Sequence, residues 1–175
     1  MKAKLVNESL NKLPTWEEIL SSAPKEILDL IEESKTCPQG TDWHPEGEVY
    51  RHIRIVFDRA SQTGDINLVL VSLFHDLGKM STTAPNKRGG WSAHGHERVS
   101  ARIAERNKQW IKDMGGDPME VLEVVGQHMR IKQMDQMKPI KRQAMRDNPY
   151  YDKLQKFTKF DDMRTLSKDE LNRYK

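Results

Sequence analysis

The chain contains a single cysteine, Cys37, so no intramolecular disulfide can form, and a reducing compartment suits it. A metal site in this chain therefore has to be built from histidine and carboxylate rather than thiolate. No apolar run approaches the roughly 20 residues that span a bilayer. The opening MKAKLVNESLNKLPTWEEIL carries acidic residues and no apolar signal core, which leads to the expectation of a cytoplasmic protein with no membrane partner. Stretches of sustained two-residue alternation are also missing, which argues against a sheet-based fold. Internal repeats and low-complexity segments are absent.

What the chain does have is charge and helical periodicity. Its 175 residues fit one domain with one core, or a core with appended helices. The net charge of +3 is uneven: from Arg130 to the end there are 13 Lys/Arg against 7 Asp/Glu. A basic last third suits an anionic substrate, although a solvated helix face has the same composition.

Helix signals recur along the chain. Thr15-Trp16-Glu17-Glu18 is a capping-box pattern, and Pro24 is placed at the first turn of a second helix through Ile27, Leu28 and Ile31. Thr36 to Gly47 is a loop punctuated by proline and glycine. Val49, Ile53, Val56 and Ala60 then form one apolar stripe, with His52 at its edge. The most apolar segment, Ile66 to Phe74, is expected to be a central buried helix over about 66–77. Met80 to Ala93 reads as a polar loop. One helix is expected over about 95–113, with Val99, Ile103 and Trp110 aligned. After Gly115-Gly116-Asp117-Pro118 another runs through Val121, Leu122, Val124 and Val125 to His128. A basic, methionine-rich connection leads to a last helix from about Tyr150. There Tyr150, Leu154, Phe157 and Asp161 recur at i, i+4, i+7 and i+11. A carboxylate continuing an apolar stripe needs a partner inside.

Phe74-His75-Asp76-Leu77-Gly78-Lys79 is the most informative stretch. Two metal-binding side chains end the most apolar run, where burial is costly unless something pairs with them. A divalent cation is the natural partner. Any one of the six histidines alone (His44, His52, His75, His94, His96 and His128) would read as a hydrogen-bonded core or surface residue. As a set, four of them sit on or at the ends of apolar helices, and one is fused to an aspartate. Imidazole with carboxylate suits Mn, Fe, Co, Ni, Zn or Mg. The spacing is too wide for a zinc finger, and HExxH is absent.

His52, then His75-Asp76, then a distant aspartate resembles the metal-dependent phosphohydrolases of the HD superfamily. Trp43-His44-Pro45-Glu46-Gly47 through His52, then FHDLGK, then His94-Gly95-His96-Glu97, is similar to the HD domain of bacterial tRNA nucleotidyltransferases (CCA-adding enzymes). The resemblance covers about residues 37–165. It implies an all-α helical bundle around a buried metal site; outside it, residues 1–36 are expected to form helices packed on the domain and 166–175 a tail. It implies His52, His75 and Asp76 as first ligands, with Asp76 able to bridge two ions. His96 and His128 correspond to the extra histidines of two-metal versions, and Asp161, with Asp162 as the alternative, closes the set. His44 reads as a loop or substrate contact. No nucleotidyltransferase head is recognisable in residues 1–36, so a stand-alone hydrolase is expected.

The implied reaction is phosphoester hydrolysis, in which one or two divalent ions lower the pKa of a bound water so that hydroxide attacks phosphorus. Asp76 and Lys79 are the catalytic candidates; Lys79, Arg130, His44 and Trp43 are the substrate-binding ones, and Trp91 could also stack on a base. Nucleotides or small phosphoesters are the expected substrates, by phosphomonoesterase, 2′-nucleotidase or 2′,3′-cyclic phosphodiesterase chemistry, with an RNA end as a further partner. The alternatives are a (deoxy)nucleoside triphosphate hydrolase, a non-catalytic RNA- or nucleotide-binding module that keeps the fold, and a subunit active only in a larger assembly.

Overall fold

A computed structural model describes residues 13–174, and among these residues the fold is helical apart from one small hairpin. The helices are α1 (Trp16–Ser22), α2 (Lys25–Ser34), α3 (Val49–Ser61), α4 (Ile66–Phe74) and α5 (Lys79–Thr82). After the hairpin come α6 (His96–Arg106), α7 (Lys108–Asp113), α8 (Pro118–Lys132), α9 (Pro139–Arg146), α10 (Tyr151–Phe160) and α11 (Lys168–Arg173). No helix among the described residues is long and apolar enough to cross a membrane.

Side-chain caps start many of these helices where the sequence places them. Thr15 Oγ1 accepts from Glu18 N at 3.2 Å while Glu18 Oε2 accepts from Thr15 N at 2.7 Å, closing the capping box of α1. Asp65 caps α4 through Asn67 N at 3.0 Å, and Asp117 caps α8 through Met119 N at 2.9 Å, with Pro118 in the first turn. Pro24 stands one residue earlier than expected, at the N-cap of α2.

The core surrounds α4. Every side chain from Leu68 to Phe74 is buried, and α4 packs against α3, α6 and α8. Each of its large aliphatic or aromatic side chains contributes roughly 1.5–3 kcal/mol through burial. The helix ends at Phe74, earlier than expected, with His75 as its C-cap. Asp76, Leu77 and Gly78 form the turn into α5. Gly78 is required by crowding, not by backbone angle: a Cβ there would meet His96 O at 2.2 Å and Ser100 N at 2.8 Å. Its amide donates to Ser100 Oγ at 2.8 Å, so the turn and α6 lie backbone to backbone.

Three segments differ from expectation. Met80 to Ala93, expected as a loop, holds the rest of α5 after Lys79 and an antiparallel hairpin of β1 (Thr83–Pro85) and β2 (Trp91–Ala93), with Ala84 opposite Ser92. The helix expected over 95–113 is divided at Asn107 into α6 and α7. The methionine-rich connection contains a turn of 3₁₀ helix and α9, whose only buried side chain is Met145. At the other end, residues 166–174 hold α11, started by a Ser167–Glu170 capping box. That helix is fixed to α3 through Arg59 Nε to Glu170 Oε1 at 2.6 Å.

Candidate metal centre

Five helices or their ends present six side chains to one buried point. His52 comes from the first turn of α3, His75 from the C-cap of α4, and Asp76 from the turn that follows. His96 opens α6, His128 lies on α8, and Asp161 is the C-cap of α10. All six are buried. Phe157, one turn before Asp161, packs edge-on against the His75 ring with centroids 5.2 Å apart.

The hydrogen bonds fix the tautomer of each histidine. Nδ1 of His75 donates to Ser72 O at 2.9 Å, that of His96 to Ala93 O at 2.7 Å, and that of His128 to Val125 O at 2.7 Å. His52 Nδ1 donates to Glu46 Oε1 at 2.8 Å. A carbonyl or carboxylate can only accept, so Nδ1 carries a proton in each case and Nε2 is the nitrogen turned inward.

Those nitrogens face one another and two carboxylates. His52 Nε2 is 3.1 Å from His75 Nε2, and His96 Nε2 is 3.3 Å from His128 Nε2. Asp161 Oδ1 lies 2.9 Å from His52 Nε2 and 3.8 Å from His75 Nε2. Asp76 spans both pairs. Its Oδ2 is 3.4 Å from both His52 and His75 Nε2, while its Oδ1 is 3.1 Å from His96 and 4.0 Å from His128 Nε2. Two triads result, His52–His75–Asp161 and Asp76–His96–His128, each with its ligand atoms within 4.8 Å of one another.

A buried set of acceptors with few donors fits divalent cations. Two buried oxygens, Asp76 Oδ2 and Asp161 Oδ2, have no hydrogen-bond partner among the described residues. The nearest cation to Asp76 Oδ2 is Lys79 Nζ at 2.8 Å, and Asp161 Oδ2 pairs with Lys132 Nζ at 2.5 Å. Burial alone would raise the carboxyl pKa of both aspartates. The positive charges of Lys79 beside Asp76 and of Lys132 beside Asp161, with the neighbouring histidines, hold them well below the ordinary range. Both are therefore anionic ligands at neutral pH.

The histidines divide. Burial would lower His52, but its hydrogen bonds to Asp161 and Glu46 outweigh this and hold it at about 9. A metal ion competes with that proton for the Nε2 lone pair. Burial, with the charge of His75 and His96 nearby, pushes His128 down to about 3, so it stays a neutral donor.

Asp76, His96, His128 and Asp161 form the floor of a cavity of about 550 Å³, with His52 and His75 behind them. Lys79 is itself buried, held by Gln39 Oε1 at 2.6 Å, and Gln39 Nε2 in turn donates to Gly47 O at 3.0 Å. His44, Trp43 and Trp91 also line the cavity, with Trp43 73% and Trp91 42% exposed at its mouth. Arg130 is not brought there: it is exposed on α8 and does not line the cavity. Lys132 lies there instead, because two residues further along α8 turns the side chain onto Asp161. His94 lines the rim without joining either triad. Asp162 lines the cavity too, but its carboxylate caps the following 3₁₀ turn and pairs with Arg164, leaving Asp161 as the inward-facing aspartate.

Sequence reasoning did not single out Glu46, Gln39 or Lys132. Glu46 stood in the HPEG motif without a role, yet it is 1% exposed and its Oε1 accepts from both His44 Nδ1 and His52 Nδ1 at 2.8 Å. Burial opposes its charge, but these two hydrogen bonds hold its pKa at about 2.

The HD domain family model matches residues 48–160, which contain all six inward-facing side chains except Asp161. Over 80 residues the chain is 40% identical to the multifunctional CCA protein of Herminiimonas arsenicoxydans. That match covers 43% of this chain and 18% of the relative, so the chain corresponds to less than a fifth of the relative's length. No solved structure matches the chain.

Proposed function

This chain belongs to the HD domain family, and we propose that it is a metal-dependent phosphohydrolase acting on nucleotides or small phosphoesters. One observation carries the reading: four inward Nε2 atoms and two anionic carboxylates converge, Asp76 reaches both groups, and Asp76, His96, His128 and Asp161 line an open cavity. His52, His75, Asp161 and Asp76 Oδ2 would hold one divalent ion, and His96, His128 and Asp76 Oδ1 a second. Bound there, such ions supply an acidified water and neutralise phosphate oxygens.

The chain's own residues then bind and orient the substrate. Lys79, fixed by Gln39 and Asp76, places a positive charge beside the floor where negative charge develops on phosphorus. Lys132, its side chain 31% exposed, offers a second positive charge from the Asp161 side. Trp43 and Trp91 provide apolar faces at the mouth for a base or sugar. A structural zinc site would consume every coordination position on protein groups, whereas here the centre opens onto a cavity lined by two lysines. The similarity to part of a multifunctional CCA protein supports a nucleotide or an RNA end as the substrate class.

The test is a hydrolysis panel on the metal-reloaded protein: nucleoside mono- and triphosphates, 2′- and 3′-nucleotides, 2′,3′-cyclic nucleotides and a generic phosphodiester. The expected result is turnover of at least one small nucleotide, abolished by chelator and restored by Mn, Co, Ni or Mg. An inert metal-loaded protein that binds RNA tightly would make this chain a binding module instead.

A further inference from the structure

Three of the four inward histidines are oriented by the backbone, each donating Nδ1–H to the carbonyl three residues earlier. His52 departs from this pattern. Its Nδ1–H goes to a side chain, Glu46, which is 1% exposed and whose Oε2 is buried without a hydrogen-bond partner among the described residues. A buried carboxylate with an unsatisfied oxygen is costly to keep. The loop is already anchored by Gln39 Nε2 to Gly47 O at 3.0 Å and by Arg51 Nη1 to Glu46 O at 3.3 Å, neither of which uses the carboxylate.

We propose that Glu46 is the positioning residue of the centre: its carboxylate fixes the tautomer of His52, strengthens its Nε2 as a donor, and ties it to His44 in the cavity wall. The same Oε1 accepts from His44 Nδ1 at 2.8 Å, and the His44 ring stands edge-on to His52 with centroids 4.9 Å apart. One oxygen thus sets both a ring facing the ions and a ring facing the substrate. A histidine backed by a carboxylate is a more basic ligand than one backed by a carbonyl. The His52–His75–Asp161 triad therefore depends on a side chain that can be replaced without touching a ligand. The inference rests on the metal centre of the proposed function, not on its substrate.

The experiment is a calorimetric titration of the metal-free protein with Mn²⁺, comparing the unsubstituted chain with Glu46→Gln and Glu46→Ala. Glu46→Gln keeps the shape and an acceptor but removes the charge. Metal affinity at one of the two sites should fall about tenfold in Glu46→Gln and up to about a hundredfold in Glu46→Ala, the range for outer partners of metal-bound histidine. The other site should be unchanged. A residue that merely anchors the loop would instead lower the melting temperature of the metal-free protein and leave affinity within about threefold, and that result overturns the proposal. Should neither variant fold, ¹⁵N-edited spectra of the unsubstituted Zn²⁺-loaded protein decide. His52 should then show an Nδ1–H proton downfield of those of His75, His96 and His128; equal positions, or an Nε2–H tautomer, would refute it. Because affinity is read without turnover, an inert protein with the expected affinity pattern would remove the hydrolase reading alone.

Discussion

Nε2 of His52 stands 3.1 Å from Nε2 of His75, although each ring has already committed its Nδ1 proton to another acceptor. Two neutral imidazoles do not face lone pair to lone pair at that distance without a cation or proton between them. The same relationship recurs between His96 and His128 at 3.3 Å, and Asp76 lies between the two pairs. From this geometry follow distinct consequences for substitutions at each pair.

Asp76→Ala should strip metal from both triads and lower turnover by at least about 10³-fold, since several kcal/mol of charge stabilisation goes with it. His96→Ala or His128→Ala should instead reduce the metal content of the folded protein from two ions to one. Elemental analysis of each variant, beside circular dichroism to confirm the fold, checks both expectations. Full metal content in folded Asp76→Ala would exclude a bridging role.

Lys132 and Arg130 lie two residues apart on α8 but should behave differently. Lys132 Nζ is 2.5 Å from Asp161 Oδ2 and lines the cavity, whereas Arg130 is exposed outside it. Lys132→Ala should lower kcat about tenfold to a hundredfold, as loss of one charge-stabilising donor does, and Arg130→Ala should stay within about twofold, the small effect of a remote exposed charge. Lys79→Ala should lower turnover more than it lowers metal content. Steady-state kinetics with parallel metal analysis distinguishes these outcomes.

Gly78→Ala places a methyl group against the backbone of α6, where His96 O would be 2.2 Å away. Relief requires α6 to move off the turn, taking His96 with it. The variant should lose about 1–3 kcal/mol of stability, the range for overpacking, and should bind its second ion more weakly. Denaturant unfolding and metal titration test the two effects, and a stable variant with both ions bound would show that α6 can shift freely.

The Arg59–Glu170 pair joins α11 to α3, and the hydrogen bond from Arg59 pulls Glu170 down to about 2 against the small opposing effect of burial. A carboxylate depressed in the folded state contributes stability above its unfolded pKa, near 4.5, and loses that contribution as pH falls toward about 2. Glu170→Gln should therefore melt below the unsubstituted protein at pH 7, with the gap closing as pH drops from about 4.5 toward about 2, the interval set by the two pKa values. Thermal unfolding of the metal-free protein across that range reads it, and a gap that persists at the acid end would contradict the assignment.

How legible the molecule was in its sequence depended on whether a residue's role was written into helical periodicity. The α4 run was readable because eight of the nine residues before His75-Asp76 are apolar or small. Asp161 was readable as the inward aspartate because it continues the stripe of Leu154 and Phe157, both fully buried. The hairpin was not, since strands of three residues are too short for alternation to register. Nor was α9, which buries only Met145 and so leaves almost no apolar pattern. The end of α4 was read three residues late because buried Leu77 prolongs the apolar signal into the turn. Lys132 meets Asp161 across α9 and α10, a contact no local spacing encodes, and Glu46, six residues before His52, lies in a loop outside any helical period.

The most direct measurement of the centre is anomalous diffraction from crystals grown with Mn²⁺. Two peaks should appear, one bounded by His52, His75 and Asp161, the other by His96 and His128, with Asp76 contacting both. A single peak would confine the chemistry to one ion. Well-ordered crystals at millimolar Mn²⁺ with no peak among these six side chains would contradict the assignment of the site as a metal centre.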